Sequence, residues 1–135
     1  MEDRRNFMMK MAAGMAATSL VTISNQINAR ELPSKRKLVH HVFFWLKNPQ
    51  NPEDRKAFEA GLRALVKIPQ IQFHHIGVPV ESPREVVDDS FTYSYMAFFK
   101  DNANQNIYQS HPIHLKFIED CQHLWKKVIV YDAMD

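Results

Sequence analysis

Residues 38–135 predict an α+β domain, a four-stranded antiparallel sheet with two helices packed on one face. Three observations predict it. Apolar runs of two-residue alternation and stripes of helical spacing follow the order strand, helix, strand, strand, helix, strand. Proline or glycine punctuates most of the junctions. The first strand is apolar on both faces, so both must be covered.

Residues 38–47 (LVHHVFFWLK) open the domain. Leu38, His40, Val42, Phe44 and Leu46 fall on one face, and Val39, His41, Phe43, Trp45 and Lys47 on the other. Asn48-Pro49-Gln50-Asn51-Pro52 reads as a turn whose Asn51 caps a helix and whose Pro52 is its first residue. Glu53 and Asp54 stand in the first turn, where the helix dipole favours acids. Phe58, Leu62, Leu65 and Val66 recur at helical spacing, and the helix ends before Pro69. Residues 71–79 form a second strand closed by Gly77 and Pro79, and 81–89 a polar loop. Residues 91–99 (FTYSYMAFF) are an aromatic-rich third strand. Asp101 caps a second helix that runs to about Tyr108 and restarts at Pro112, after which His114, Phe117, Ile118, Cys121 and Trp125 make one inward stripe. Residues 128–132 supply the last strand.

This βαββαβ order is the ferredoxin-like plan. Two helices cover one face of four strands, and the other keeps Val39, Phe43 and Trp45, too apolar to leave wet. A domain this small is therefore expected to pair sheet to sheet with a second copy, giving a homodimeric α+β barrel.

The 135-residue chain begins with a segment of different character. Arg4-Arg5 precede a Met- and Ala-rich apolar run over 7–23, and a polar stretch ends at Ala29 before Arg30-Glu31. Basic start, short apolar middle and small-residue end are the marks of a secretory signal peptide over 1–29, with 30–37 as linker and an exported, periplasmic or envelope destination. Arg4-Arg5-Asn6-Phe7-Met8 resembles a twin-arginine signal; an ordinary export signal and a retained anchor stay open beside it. Thr18, Ser19 and Thr22 interrupt the run, leaving it short of the roughly 20 residues a membrane span needs, so no stable insertion is expected after cleavage.

Without the leader, Lys+Arg falls from 17 by Arg4, Arg5 and Lys10, and Asp+Glu from 15 by Glu2 and Asp3, so the domain is close to neutral. That argues against nucleic acid as a partner, which calls for a basic face; Lys35-Arg36-Lys37 lies in the linker. Cys121 is the only cysteine, so no disulfide forms within the chain, and its place on an apolar stripe reads as a buried thiol. No phosphate loop, dinucleotide fingerprint or nucleophile elbow is present, and no cofactor is expected.

The chemistry concentrates in Tyr108-Gln109-Ser110-His111-Pro112-Ile113-His114, which puts a phenol and two imidazoles around a helix break. A tyrosine and a histidine aimed into one apolar pocket make a proton-transfer pair. His114 on the inward stripe is the base or else a hydrogen-bonded core histidine; Tyr108 donates or orients; His40 alternates onto a buried strand face. His111 reads first as a cap for the restarted helix and second, with Tyr93 and Phe117, as a contact to a bound molecule. His111 and His114 stand three apart, but no further ligands at metal-site spacing accompany them, and no metal is expected.

His40 to Lys47, the glycine-closed second strand, Tyr108-x-x-His111-Pro112-x-His114 and the closing Val130-Tyr131-Asp132 together resemble the stress-responsive A/B barrel (Dabb) family, over nearly all of 38–132. The resemblance implies a ferredoxin-like protomer in a dimeric barrel and no single activity. A plant branch of the family cyclises polyketides without a cofactor. Against that branch, His40, Tyr108 and His114 fall on functional positions, while Tyr93 replaces a third-strand histidine and so changes the donor and acceptor capacity there. Three functions follow as expectations: a cofactor-free enzyme or small-molecule binder of cyclase or isomerase type, a non-catalytic stress-response dimer of the envelope, or a monooxygenase-like barrel.

Overall fold

The computed structural model describes residues 37–135. The expected leader over 1–29, and the linker before Lys37, lie outside the described residues. Four strands form one antiparallel sheet: β1 Leu38–Leu46, β2 Phe73–Gly77, β3 Tyr93–Phe99 and β4 Trp125–Met134, in the order β2-β3-β1-β4. Helices α1 Pro52–Leu65, α2 Asn102–Ser110 and α3 Pro112–Cys121 are inserted between them. This is the expected ferredoxin-like α+β plan, with the second helix broken in two at His111-Pro112. Among the described residues, no helix is long and apolar enough to cross a membrane.

Local chemistry sets the boundaries. Asn51 accepts from the backbone N–H groups of Glu53 and Asp54 at 2.9 and 3.3 Å, and Pro52 opens α1 without a lost donor. Asp101 does the same for α2, accepting from Asn104 at 2.9 Å. β2 is shorter than residues 71–79: the Ile71 N–H folds back to the Ile68 carbonyl, so the chain is still turning out of α1 there. β3 begins at Tyr93 rather than Phe91, yet Thr92 closes the sheet end, its hydroxyl accepting from Leu46 N at 3.0 Å. β4 begins at Trp125, not at 128. Trp125 is therefore a strand residue after the 3₁₀ turn Gln122–Leu124, not part of the helical stripe. It still reaches the core, 5.3 Å from the Phe44 ring and 5.8 Å from Phe117.

The core lies between the helices and one sheet face. Leu38, Val42, Phe44 and Leu46 of β1 and Tyr93, Tyr95, Ala97 and Phe99 of β3 are buried there against Phe58, Leu62 and Leu65 of α1, Tyr108 of α2 and Phe117 and Cys121 of α3. The opposite face carries Val39, His41, Phe43 and Trp45 of β1, Met96 and Phe98 of β3, Phe73 and His75 of β2, and Ile129 and Tyr131 of β4. Phe43 meets Phe91 at 5.1 Å and Tyr131 at 6.1 Å, so this uncovered face is a continuous aromatic surface.

Helices α1 and α3 pack tightly at Gly61, where a Cβ would run into the Cys121 sulfur and stand 3.3 Å from the Phe117 ring. An alanine elsewhere in a helix gains about 1 kcal/mol over glycine. Here overpacking wins, and Gly61→Ala is expected to lower stability by about 1–3 kcal/mol in urea unfolding. Cys121→Ala should remove most of that added loss; equal losses in both backgrounds would show that the contact does not limit the helix approach.

Candidate functional site

Between α2, α3 and the sheet lies a cavity of about 200 Å³. Its apolar wall is Val42, Phe44, Leu65, Phe117, Ile118, Trp125, Val128 and Val130, and its polar groups come from His40, Tyr95, Tyr108 and His114. Strand alternation turns His40 and Tyr95 inward from β1 and β3. The helix break brings the other two in: α2 ends at Ser110, Pro112 restarts α3, and the Tyr108 and His114 rings come within 4.8 Å. The His40 ring stands 5.7 Å from Tyr108 and 6.4 Å from Tyr95.

The hydrogen bonds assign roles. His40 is buried, and its Nδ1 is 2.6 Å from Asp132 Oδ1 on the neighbouring strand, so Nδ1–H donates to the carboxylate. The Gln105 amide donates to the other carboxylate oxygen at 3.3 Å. In the neutral tautomer this leaves His40 Nε2 as an acceptor. The Tyr95 and Tyr108 hydroxyls are 3.2 Å apart. One donates to the other, and the second proton stays free for a further acceptor. His114 Nδ1 is buried and has no hydrogen-bond partner. A buried ring nitrogen without a well-formed partner costs stability, although the Gln109 backbone lies close enough to hydrogen-bond the ring.

Electrostatics match this division. Burial pushes the Tyr108 phenol far above its usual range, and the Tyr95 phenol up to about 12, so both are neutral donors. Burial lowers His114 below 6.5; the Gln109 backbone opposes the shift and His40 adds to it. A neutral imidazole beside neutral phenols in an apolar recess can accept a proton while a phenol stabilises developing negative charge.

Of the residues singled out in the sequence, the structure brings His40, Tyr108, His114 and Phe117 together. Tyr93 is elsewhere. It shares the sheet face but lies two residues along β3, in a separate recess with Glu59 and Arg63, where its hydroxyl donates to Glu59 at 2.6 Å and Arg55 stacks on its ring. The third-strand group in the cavity is Tyr95. His111 caps α3, its Nδ1 accepting from Ile113 N–H at 3.1 Å, and that nitrogen is spent on the helix rather than on a bound molecule. Sequence reasoning gave Tyr95 only as a residue that shares the face of Tyr93 and could line a pocket, and missed Asp132 and Gln105 as site residues. The signal for Asp132 was its inward phase in β4, directly opposite His40. A larger recess of about 380 Å³ at the end of β1 holds Arg55 and Lys126 but no candidate base. Among the described residues no three His, Cys, Asp or Glu side chains gather as metal ligands.

Comparisons extend the picture. The model of the family described as Stress Responsive A/B Barrel Domain matches residues 38–135. No curated protein matches the chain. A dabb-family protein of ferredoxin-like fold from Mesorhizobium loti superposes with a TM-score of 0.61 at 22% identity, covering 73% of this chain and 96% of that one. A dimeric ferredoxin-like protein of unknown function from Thermobifida fusca gives 0.60 at 14% identity, covering 77% and 95%. A hydroxynitrile lyase from Passiflora edulis gives 0.64 at 21% identity, covering 76% and 95%.

Because burial favours neutral His114, its share of stability is fully present above about pH 6.5 and is lost as pH falls below that value. The His114 imidazole resonances are expected to titrate below those of an exposed histidine. His114→Gln should flatten the decline of urea-unfolding stability between pH 7 and 5. A His114 midpoint at or above 6.5 would contradict the assignment of a neutral base.

Proposed function

Since the chain belongs to the stress-responsive A/B barrel family, we propose that its helix–sheet cavity binds a small uncharged carbonyl or hydroxyl compound and moves a proton on it without a cofactor. The observation that carries this reading is the convergence of the His114 imidazole and the paired Tyr108 and Tyr95 hydroxyls on one cavity that side chains do not fill. A cavity of about 150 Å³ accepts benzene, so about 200 Å³ suits one ring or a short branched chain. The apolar wall favours an uncharged body and the polar end one oxygen function.

In this reading the neutral His114 imidazole takes a proton from the carbon next to a carbonyl. The electron pair of that C–H bond forms a C=C bond, the carbonyl π pair moves onto oxygen, and a phenol proton of the Tyr108–Tyr95 pair hydrogen-bonds the resulting enolate. Protonated His114 returns its proton at the same or a neighbouring carbon, which closes an exchange or isomerisation cycle. Asp132 holds His40 in one tautomer as a second polar contact. The Passiflora edulis protein of this fold is named for hydroxynitriles, small molecules whose hydroxyl proton such a base could equally remove.

The functional unit in this proposal is a homodimer. The uncovered aromatic sheet face and the dimeric Thermobifida fusca protein of the same fold support it. The leader over 1–29 is proposed to export the chain to the periplasm or envelope, on the strength of Arg4-Arg5, the apolar run and Ala29. Intact mass of the native protein checks this: a product starting near Arg30 is expected, and one retaining Met1 in the cytoplasm removes the claim.

The activity is tested by deuterium exchange into uncharged aryl ketones in D₂O. Wild-type protein should exceed free imidazole at equal concentration. His114→Ala should lose about 10²–10⁴-fold, and Tyr108→Phe a smaller factor, with the fold retained. Exchange no faster than free imidazole, or unchanged in both variants, overturns the catalytic reading.

A further inference from the structure

We propose that acid separates the dimer, because His41 and His75 stand side by side on the sheet face that pairs with a second copy, where protonation would gather like charges at the seam. The inference rests on the dimer reading above and is independent of the cavity chemistry.

The register puts the two histidines together. His41 of β1 and His75 of β2 both lie opposite Met96 of β3, so they flank one residue on one face. The His41 ring stacks on Phe43 at 4.2 Å, and its Nε2 is 2.8 Å from the Ser94 hydroxyl. His75 folds back along its own strand: a Cβ on Gly77 would stand 2.9 Å from the His75 ring carbon. Gly77 thereby leaves room for the imidazole to lie on the sheet instead of rising from it.

Among the described residues, those set directly around His41 include no carboxylate. His41 faces Phe43 from β1, Ser94 and Met96 from β3, His75 from β2 and Tyr131 from β4, with His40 behind it on the other face. Charged groups at this surface include Lys127, over the Trp45 ring at 4.5 Å, Asp88, beside Phe43 and Trp45, and, at the far end of β1 and β4, Lys37 with Asp135, whose carboxylate accepts from the Lys37 N–H at 2.6 Å. Ser90 holds Asp88 in its ionised form, and Asp88 faces Lys127. Protonation thus adds positive charge to a surface whose nearby carboxylate already has a cation. Burial, then His75, then His40 already lower His41 below 6.5 in one protomer. A second copy would bury both rings, His75 being exposed in the protomer, and two-fold symmetry would bring four imidazoles to one seam.

The sign follows. A site that favours the neutral form is intact above the free histidine value of about 6.5 and weakens as pH falls below it. A histidine free at about 6.5 in the protomer and neutral in the dimer costs roughly tenfold in Kd one unit lower, and its symmetry mate as much again. Because His41 starts below that value, the expected rise in Kd between pH 7.5 and 5.5 is about 10- to 100-fold.

Sedimentation of the full chain across a dilution series at pH 7.5 and 5.5 tests this. The expected result is a dimer at pH 7.5 that dissociates at pH 5.5, and a His41→Gln/His75→Gln variant whose Kd is nearly the same at both. Should the double variant fail to pair at all, histidine resonances of the wild type replace it. The His41 imidazole should titrate at lower pH in concentrated than in dilute protein. A wild-type Kd unchanged between the two pH values overturns the proposal and leaves the dimer standing, as does a double variant that dissociates equally in acid or resonances indifferent to concentration. A monomer already at pH 7.5 removes the dimer reading and this inference with it.

Discussion

A β-strand repeats every two residues, and β1 uses both halves of that period. Its even-numbered residues enter the core with the helices and carry His40 to the cavity. Its odd-numbered residues build the aromatic surface on the other side and carry His41 into it. Because β1 is hydrogen-bonded to β3 and β4 along almost its whole length, neither half can shift without the other. A one-residue slip would exchange the roles of the two histidines and turn Phe44 outward. Everything else here hangs on this register: the core, the carboxylate of Asp132 opposite His40, and the sheet face left for a partner.

The cavity survives in the core because its polar groups are neutral and mostly satisfied. Two phenols pair with each other, and one imidazole leans on a half-exposed carboxylate that keeps its hydration on one side. The exception is His114, whose buried nitrogen costs about 1–3 kcal/mol if nothing binds it. The aromatic packing around it is extensive: Phe44, Phe58, Phe117 and Trp125 meet edge to face or stacked within about 6 Å of one another. Such a core carries one local deficit where a uniformly marginal one would not.

Much of this was legible in the sequence, for physical reasons. The caps at Asn51 and Asp101, the proline restart and the two-faced first strand are local signals that tertiary structure had no cause to override. Convergence of His40, Tyr108 and His114 followed from strand and helix periods together with the proline break. What failed depended on distance along the chain. Tyr93 and Tyr95 have the same phase, and only the position of α2 decides which of them reaches the cavity. Asp132 looked like the polar end of a strand until the β1–β4 register set it against His40. Trp125 kept its inward direction but belongs to a strand, because the 3₁₀ turn after α3 rotates the chain without losing the phase.

The break at His111-Pro112 sets tolerances of its own. In one unbroken helix, residues six apart lie about 240° round the axis and about 9 Å along it, and could not share a pocket. Tyr108 and His114 are six apart and nearly in contact. Their alignment is therefore a property of the hinge more than of either side chain, and of the segment's length more than of its composition. Most intervening residues can vary while the pair stays aligned, but one residue gained or lost between them would rotate α3 by about 100° against α2 and swing His114 off the cavity. Among proteins of this architecture, those whose two half-helices keep this six-residue spacing would share a geometry for proton transfer, whatever else lines the wall. Those that do not would have to place their base from another element.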